Sequence, residues 1–180
     1  MARRLIFLLG GARSGKSRYA ESWARENGGR ALFVATAQAT DADMRQRIAD
    51  HRASRPADWH TLEAPIDTAD QIAAASFAYD TLILDCVTLM VSNILVALPE
   101  AVTQAEANAA ALAAVERLLE AQARSDATWL VVSNEVGMGV VPPTRLGVLY
   151  RDMLGRVNQR IAEAADEALL LVAGIPWRLK

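Results

Sequence analysis

Short apolar runs alternate along the chain with longer amphipathic or polar segments. The apolar runs predict buried strands at 5–9, 31–37, 79–86, 129–133 and 168–172, with further strands at 59–63 and 175–180. Helices are predicted from residue 17 to the glycine pair 28–29, and over 41–54, 67–75, 103–124 and 143–165. Strands that are apolar throughout are typical of parallel strands covered on both faces. The pattern therefore predicts a three-layer α/β fold, a mostly parallel sheet with helices on both faces.

The helix predicted over 103–124 begins with a capping-box pattern, Thr103 followed by Glu106. Its expected buried stripe is marked by Leu112, Val115 and Leu119. No repeat or linker interrupts the alternation of elements, so residues 1–180 are expected to form one domain.

The strongest local motif lies between the first predicted strand and the first predicted helix. It comprises Gly10, Gly11, Ala12, Arg13, Ser14, Gly15, Lys16 and Ser17. The segment fits the P-loop pattern, and its glycines allow backbone N–H groups to approach phosphate oxygens. Lys16 is expected to reach the β- and γ-phosphates, and Ser17 to bind Mg²⁺. The alternative, a glycine-rich turn with a chance lysine, does not explain the strand and helix around it, so we expect nucleoside triphosphate binding.

Polar residues that could bind a ligand or a metal ion lie at the ends of two further predicted strands. Asp85 follows an apolar run, as does the carboxylate of a Walker B motif that supports Mg²⁺, although an aspartate there is often only a turn former. The polar turn 134–139 follows the strand at 129–133. Ligands of open α/β sheets gather at carboxyl strand ends, so this turn either faces the site or simply connects two elements.

Composition narrows the class of protein. The 19 basic and 21 acidic residues give a net charge of −2, which argues against a nucleic-acid partner. Cys86 is the single cysteine, so an internal disulfide is excluded, and its strand-like context predicts a buried structural thiol. The apolar run after residues 1–4 is too short for a signal peptide, and no segment approaches the roughly 18 apolar residues of a membrane span. These features predict a cytoplasmic protein.

His51 lies on the polar side of the helix predicted over 41–54, close to Arg52 and Arg55. It is either an ordinary surface histidine or a nucleophile. A neutral imidazole can attack phosphorus, while guanidinium groups hold the phosphate and favour the uncharged ring. Asp50 precedes it and would either favour the protonated ring or orient it.

Five segments together resemble a known family. Residues 10–17, 35–37, 51–56, 134–142 and 155–160 look, in matching order, like the bifunctional adenosylcobinamide kinase/adenosylcobinamide-phosphate guanylyltransferase of cobalamin biosynthesis. The resemblance implies phosphorylation of adenosylcobinamide by ATP or GTP. It then implies GMP transfer from GTP, through a guanylyl-histidine, to adenosylcobinamide phosphate, giving adenosylcobinamide-GDP and pyrophosphate. It further implies a RecA-like P-loop sheet and a homotrimer.

The resemblance also assigns site residues by position. His51 matches the guanylylated histidine and, with Lys16, is expected to be catalytic. Nucleotide contacts are implied for residues 10–17 and for Ala35, Thr36, Ala37, Arg52, Ala53, Ser54, Arg55, Glu63 and Asp85. Mg²⁺ is expected at Ser17 and Asp85, His60 is interpreted as structural, and the kinase general base is not assigned.

Two other functions are compatible with the P-loop. A small-molecule kinase of another specificity would leave His51 incidental and would form no covalent nucleotide intermediate. A GTP-binding switch or metallochaperone would require an Asn-Lys-x-Asp guanine motif, which the sequence does not contain.

Overall fold

The computed structural model describes residues 3–27, 29–39, 42–53 and 55–180, with the backbone alone described at 43, 44, 47, 50 and 51. The strands are β1 (Leu5–Leu9), β2 (Ala31–Ala35), β3 (His60–Glu63), β4 (Thr81–Asp85), β5 (Thr128–Val132), β6 (Glu167–Val172) and β7 (Ile175–Arg178). The helices are α1 (Lys16–Asn27), α2 (Ala42–Ala53), α3 (Thr68–Ala73), α4 (Val87–Ala97), α5 (Gln104–Ala123) and α6 (Arg145–Ala164).

The strands form one sheet in the order β3-β2-β4-β5-β1-β6-β7. Neighbouring strands from β3 to β6 pair in parallel, and β7 pairs with β6 in the antiparallel direction. The mostly parallel sheet is therefore confirmed. This order sets β5 between β4 and β1, so the carboxyl ends of these three strands lie side by side.

Alternate residues of the strands face opposite layers of the protein. In β1, Leu5 and Phe7 join a core cluster that includes residues of α3 to α6, whereas Ile6 and Leu8 pack on the side of α1. Both faces of the sheet are thus covered by helices, as the apolar strand pattern predicts. No helix within the described ranges is both long enough and apolar enough to cross a lipid bilayer.

Helix α4 lies in a stretch for which the hydrophobic pattern predicts no element. Its sequence is rich in β-branched and apolar residues around most of its circumference, so it lacks an amphipathic period. Val87, Met90, Val91 and Leu95 are buried in the core. Burial of this apolar surface outweighs the weak helix propensity.

The buried stripe of α5 differs from the expected one. The capping box is present, since the Thr103 hydroxyl accepts a 3.3 Å hydrogen bond from the Glu106 N–H and the Glu106 carboxylate accepts one of 2.8 Å in return. Val115 is buried as expected, but Leu118 is buried in place of its neighbour Leu119. The rest of the buried stripe consists of alanines, which allow close packing but give no signal in a search for large apolar residues.

Candidate functional site

The P-loop adopts a conformation that two of its glycines make possible. Gly10 and Gly15 have φ angles of +148° and +99°, in a region that side-chain-bearing residues rarely adopt. A Cβ atom on Gly10 would lie 2.4 Å from the Leu171 carbonyl oxygen, and one on Gly15 would lie 3.0 Å from Cα of Gly174. The loop therefore packs closely against the end of β6 and the turn that follows it.

Gly11 differs from its neighbour, because a Cβ atom there would meet nothing within 4 Å. The loop is also tied to the turn between β6 and β7, where the Gly174 N–H donates a 2.8 Å hydrogen bond to the Ser14 carbonyl. The requirement for glycine predicted from the motif is thus met by Gly10 and Gly15 through conformation and contact, and not by Gly11.

Lys16 begins α1 and points back into the loop. Its side chain is buried, and Nζ donates hydrogen bonds to the carbonyl oxygens of Gly10 (2.9 Å) and Gly11 (2.7 Å). Burial lowers the pKa of this ammonium group, while Cys86 and Asp85 act in the opposite direction. The lysine thus lies within electrostatic reach of the carboxylate that ends β4.

A cavity of about 300 Å³ opens beside the loop. It is lined by residues that the sequence analysis predicts for the nucleotide site, namely Ser17, Ala35, Ala37, Arg55, Glu63 and Asp85. These residues come from α1, the ends of β2, β3 and β4, and the segment after α2. A larger cleft of about 410 Å³ lies between α3 and α5, but no predicted site residue lines it, so volume alone does not identify the site.

Ser17 and Asp85 both line this cavity, and their hydroxyl and carboxylate oxygens are donors of the kind that suits Mg²⁺, which binds through one or two carboxylates, waters and phosphate oxygens. No group of three or more His, Cys, Asp or Glu side chains suited to a metal occurs in the part of the chain that the structure describes. A site with few protein ligands suits a cation bound together with a nucleotide better than a permanent metal centre.

Arg55 forms a cationic wall of the cavity. Its guanidinium carbon lies 3.6 Å from the centroid of the Phe33 ring, and Nη1 donates a 3.3 Å hydrogen bond to the Thr61 hydroxyl. Burial lowers the pKa of Arg55, and Asp85 acts against that effect. Its Nε is buried and makes no hydrogen bond within the described residues. A buried N–H beside a cavity is suited to a ligand oxygen.

The remaining predicted contacts differ in what they do. Glu63 forms a 3.3 Å ion pair with Arg52, and both side chains are more than half exposed. The fully buried Thr36 does not line the cavity, since its hydroxyl donates to the Cys86 carbonyl (2.7 Å) and accepts from the Cys86 N–H (2.9 Å). Thr36 therefore holds the backbone directly after Asp85.

The catalytic histidine predicted from the sequence can be located only by its backbone. His51 lies in α2, the helix that contributes Ile48 to the cavity wall, and its side chain is outside the described residues. Ala53 is exposed at the end of α2 and does not line the cavity, and Ser54 lies outside the described residues. His60, predicted to be structural, stacks on Phe77 with ring centroids 4.4 Å apart.

A comparison with known protein families shows to which family the chain with this site belongs. Residues 6–179 match the family CobU, described as cobinamide kinase / cobinamide phosphate guanyltransferase. The chain belongs to this family. The activities expected from the resemblance, cobinamide kinase and cobinamide phosphate guanylyltransferase, are thereby confirmed and replace the two alternative functions.

Relatives of this CobU-family chain match along nearly their whole length. The bifunctional adenosylcobalamin biosynthesis protein CobU of Salmonella typhimurium is 42% identical over 181 residues, which cover 98% of this chain and 99% of that protein. CobP of Pseudomonas aeruginosa, a protein with the same description, is 42% identical over 173 residues, covering 96% and 95% of the two chains. CobU of Escherichia coli is 39% identical over 181 residues, covering 98% and 99%.

A solved structure supports the fold of the CobU-family chain. The crystal structure of the flagellar accessory protein FlaH from Methanocaldococcus jannaschii aligns with a TM-score of 0.53 and 15% identity, covering 99% of this chain and 79% of that one. At this identity the likeness concerns the fold alone. The expected α/β fold with a mostly parallel, RecA-like sheet is confirmed.

Six more residues of the CobU-family cavity were not assigned as site residues from the sequence, although Asn134 belongs to the polar turn 134–139, for which a position facing the site was one of two interpretations. They are Phe33, Ile48, Cys86, Thr88, Leu89 and Asn134. Cys86 lies outside the strand predicted for it, because β4 ends at Asp85, and this partly buried residue lines the cavity. Burial raises its pKa to about 11, so the thiol stays protonated at neutral pH. Its position after Asp85 was the signal that could have placed it.

Proposed function

We propose that both activities of this enzyme use the cavity beside the P-loop. In the first reaction, ATP or GTP phosphorylates the hydroxyl of adenosylcobinamide. In the second, GMP passes from GTP through His51 to adenosylcobinamide phosphate, giving adenosylcobinamide-GDP and pyrophosphate. One observation supports this proposal most strongly. Ser17, Arg55 and Asp85 are far apart in the sequence, yet they line one cavity, and the helix that contains His51 borders it.

In the kinase reaction, the loop amides and Lys16 bind the phosphates of the donor. The Lys16 ammonium exchanges its hydrogen bonds with the carbonyls of Gly10 and Gly11 for phosphate oxygens, which compensates the cost of its burial. Ser17 and Asp85 would hold Mg²⁺. When bound, Mg²⁺ supplies charge neutralisation at the phosphoryl oxygens.

The guanylyl transfer consists of two displacements at the α-phosphorus of GTP. An imidazole nitrogen of His51 forms a bond to phosphorus, the bond to the α–β bridging oxygen breaks, and pyrophosphate leaves. A phosphate oxygen of adenosylcobinamide phosphate then attacks the same phosphorus, and the bond to His51 breaks. Arg52 and Arg55 stabilise negative charge on the transferring group.

Retention of label tests the role of His51. The protein is incubated with Mg²⁺ and GTP labelled at the α- or γ-phosphate and separated by denaturing electrophoresis. We expect label from α-labelled GTP alone, stable to base, labile to acid and absent in His51→Ala. The matched control is His60→Ala, which removes the other histidine of the chain and should keep the label. Label that persists in His51→Ala, or none in folded wild-type protein that binds GTP, would overturn the covalent route.

The assignment of Asp85 as a Mg²⁺ ligand is tested by comparing substitutions of two aspartates, one at the end of β4 and one just before its start. Asp85 ends this strand, whereas Asp80 lies just before it and pairs with Arg30. We expect Asp85→Asn to raise the Mg²⁺ concentration for half-maximal kinase rate by about tenfold or more, the loss of one charged ligand interaction. Asp80→Asn should leave that concentration unchanged. Equal Mg²⁺ dependence of the two variants would remove Asp85 from the metal site.

The family resemblance further supports a homotrimer that acts in the cytoplasm. Apolar side chains are exposed along the edge strand β7 and beside it, among them Val172, Ile175 and Trp177, and such a patch is typical of a protein interface. Sedimentation equilibrium of the purified protein tests the trimer, and a monomer at micromolar concentration would refute it.

A further inference from the structure

Asn134 lies where the carboxyl ends of three strands meet. Val132, the last residue of β5, pairs with Asp85 of β4 on one side and with Leu8 of β1 on the other. Asn134 follows two residues later and lines the same cavity as Ser17 and Asp85. It therefore lies between the strand that ends in the carboxylate and the strand that leads into the P-loop.

The backbone around Asn134 is held from three sides. Its N–H donates a 2.7 Å hydrogen bond to the Thr88 hydroxyl of α4, and its carbonyl accepts one of 3.0 Å from the Asn158 side chain of α6. The next N–H, that of Glu135, donates to the Gly10 carbonyl of the P-loop at 3.2 Å. The position of Asn134 relative to the loop is thus determined by hydrogen bonds that do not involve its own side chain.

Asn158 supports this arrangement from a buried position. It is 5% exposed, and its Oδ1 accepts a 2.7 Å hydrogen bond from the Ser133 hydroxyl, which orients the amide so that Nδ2 faces Asn134. Within the part of the chain that the structure describes, the side-chain amide of Asn134 takes part in no such network. A side chain whose backbone is fixed at a cavity wall is suited to contact a substrate.

The surroundings indicate which part of the substrate the amide meets. In a P-loop site the lysine contacts the β- and γ-phosphates, and the Mg²⁺ ligands lie beside the same oxygens. Asn134 lines the cavity together with Asp85 and follows the strand next to β1, so it lies on the side of the cavity where the γ-phosphoryl end of the nucleotide is expected. An amide can donate to a phosphoryl oxygen through its NH₂ and accept from a hydroxyl through its oxygen.

We propose that Asn134 is a catalytic residue of the kinase step, which orients the substrate hydroxyl against the γ-phosphoryl group, and that Asn158 is its positioning residue. The proposal rests on the nucleotide site proposed above. The hydroxyl oxygen bonds to the γ-phosphorus, the bond to the β–γ bridging oxygen breaks, and the nucleoside diphosphate leaves with the electron pair. The hydroxyl proton passes to water. Guanylyl transfer occurs at the α-phosphorus, so it depends less on Asn134.

The test separates the two activities in one set of variants. Kinase rate is measured as transfer of γ-label to cobinamide, and guanylylation as retention of α-label on the protein. We expect Asn134→Ala to lower the kinase kcat by about 100-fold, the effect typical of one transition-state hydrogen-bonding group. Its KM for nucleotide and its guanylylation rate should change by about threefold or less, since the fixed backbone remains.

Further variants distinguish positioning from folding. Asn158→Ala should lower the kinase kcat by a smaller factor, again without a matching rise in KM. Asn27→Ala is the control, because Asn27 ends α1 some eleven residues, or about 16 Å, from Lys16 and should change neither activity. Thermal unfolding of each variant reports folding. Asn134→Asp keeps the shape and the acceptor oxygen but replaces the N–H donor by a negative charge beside the phosphoryl group, so its kinase kcat should also fall below that of the wild type.

Each outcome bears on one claim. An unchanged kinase kcat in Asn134→Ala, or an equal loss of both activities, would overturn the role of Asn134 in the kinase step. Retention of both activities in Lys16→Ala would instead overturn the proposed nucleotide site. The two failures are therefore distinguishable.

Discussion

Gly10 and Gly11 are neighbours in the P-loop but differ in the space around them. Alanine substitution at each therefore tests how far the loop conformation determines the free energy of unfolding. In Gly10→Ala the new methyl group would lie 2.4 Å from the Leu171 carbonyl oxygen and 2.6 Å from the Ser14 hydroxyl, at a φ of +148°. The strained backbone costs about 1–3 kcal/mol. Displacement of the neighbouring backbone costs about 1–3 kcal/mol more. We therefore expect the free energy of unfolding to fall by about 2–6 kcal/mol, out of about 5–15 kcal/mol for a typical domain.

Gly11→Ala is the matched control, because its methyl group meets nothing within 4 Å. Its unfolding free energy should change by less than about 1 kcal/mol. Both variants are unfolded in urea without nucleotide or Mg²⁺, since a bound ligand would add its own stabilisation. Tryptophan fluorescence, to which the fully buried Trp129 contributes, reports the transition. Equal urea midpoints for the two variants would refute the argument from loop conformation.

Three further predictions concern stability. Hydrogen bonds from the side chain and backbone of Arg30 lower the pKa of Asp80 to about 2. This pair therefore stabilises the protein above about pH 4, and the stabilisation is lost as the pH falls toward about 2. The stability difference between wild type and Asp80→Asn should therefore shrink from pH 6 to pH 2, and a constant difference would contradict this. Thr103→Ala should cost about 1 kcal/mol through loss of the helix cap, and Thr103→Ser should restore it in urea unfolding. Leu118→Ala should cost about 2–5 kcal/mol and Leu112→Ala less, whereas the reverse order would favour the stripe expected from the sequence.

Local sequence patterns were sufficient for several features. Each strand that contributes to the core is an apolar run, and the P-loop is recognisable because its glycines, lysine and serine have a set spacing between a strand and a helix. The capping box at Thr103 was likewise readable from two residues. These features depend on interactions within a few residues, which the sequence contains directly. The role of His51 rests on the same kind of pattern and stays a prediction.

Long-range packing was not readable in this way. Helix α4 has no amphipathic period and forms because its apolar surface is buried in the core. The buried stripe of α5 consists partly of alanines, which a search for large apolar residues does not detect. The hydroxyl of Thr36, a predicted nucleotide contact, holds the backbone of Cys86, a role that its position in the motif does not indicate. In each case the decisive contact comes from an element distant in the chain.

The spacing of local motifs was enough to predict a P-loop α/β enzyme and to indicate its family. The set of residues that line the cavity beside the P-loop became clear from the folded chain alone. The strand order sets β5 between β4 and β1, so Asn134 joins Asp85 and Lys16 although about 50 and 120 residues separate it from them. Strand pairing and register depend on non-local hydrogen bonds and side-chain burial, which no local spacing encodes.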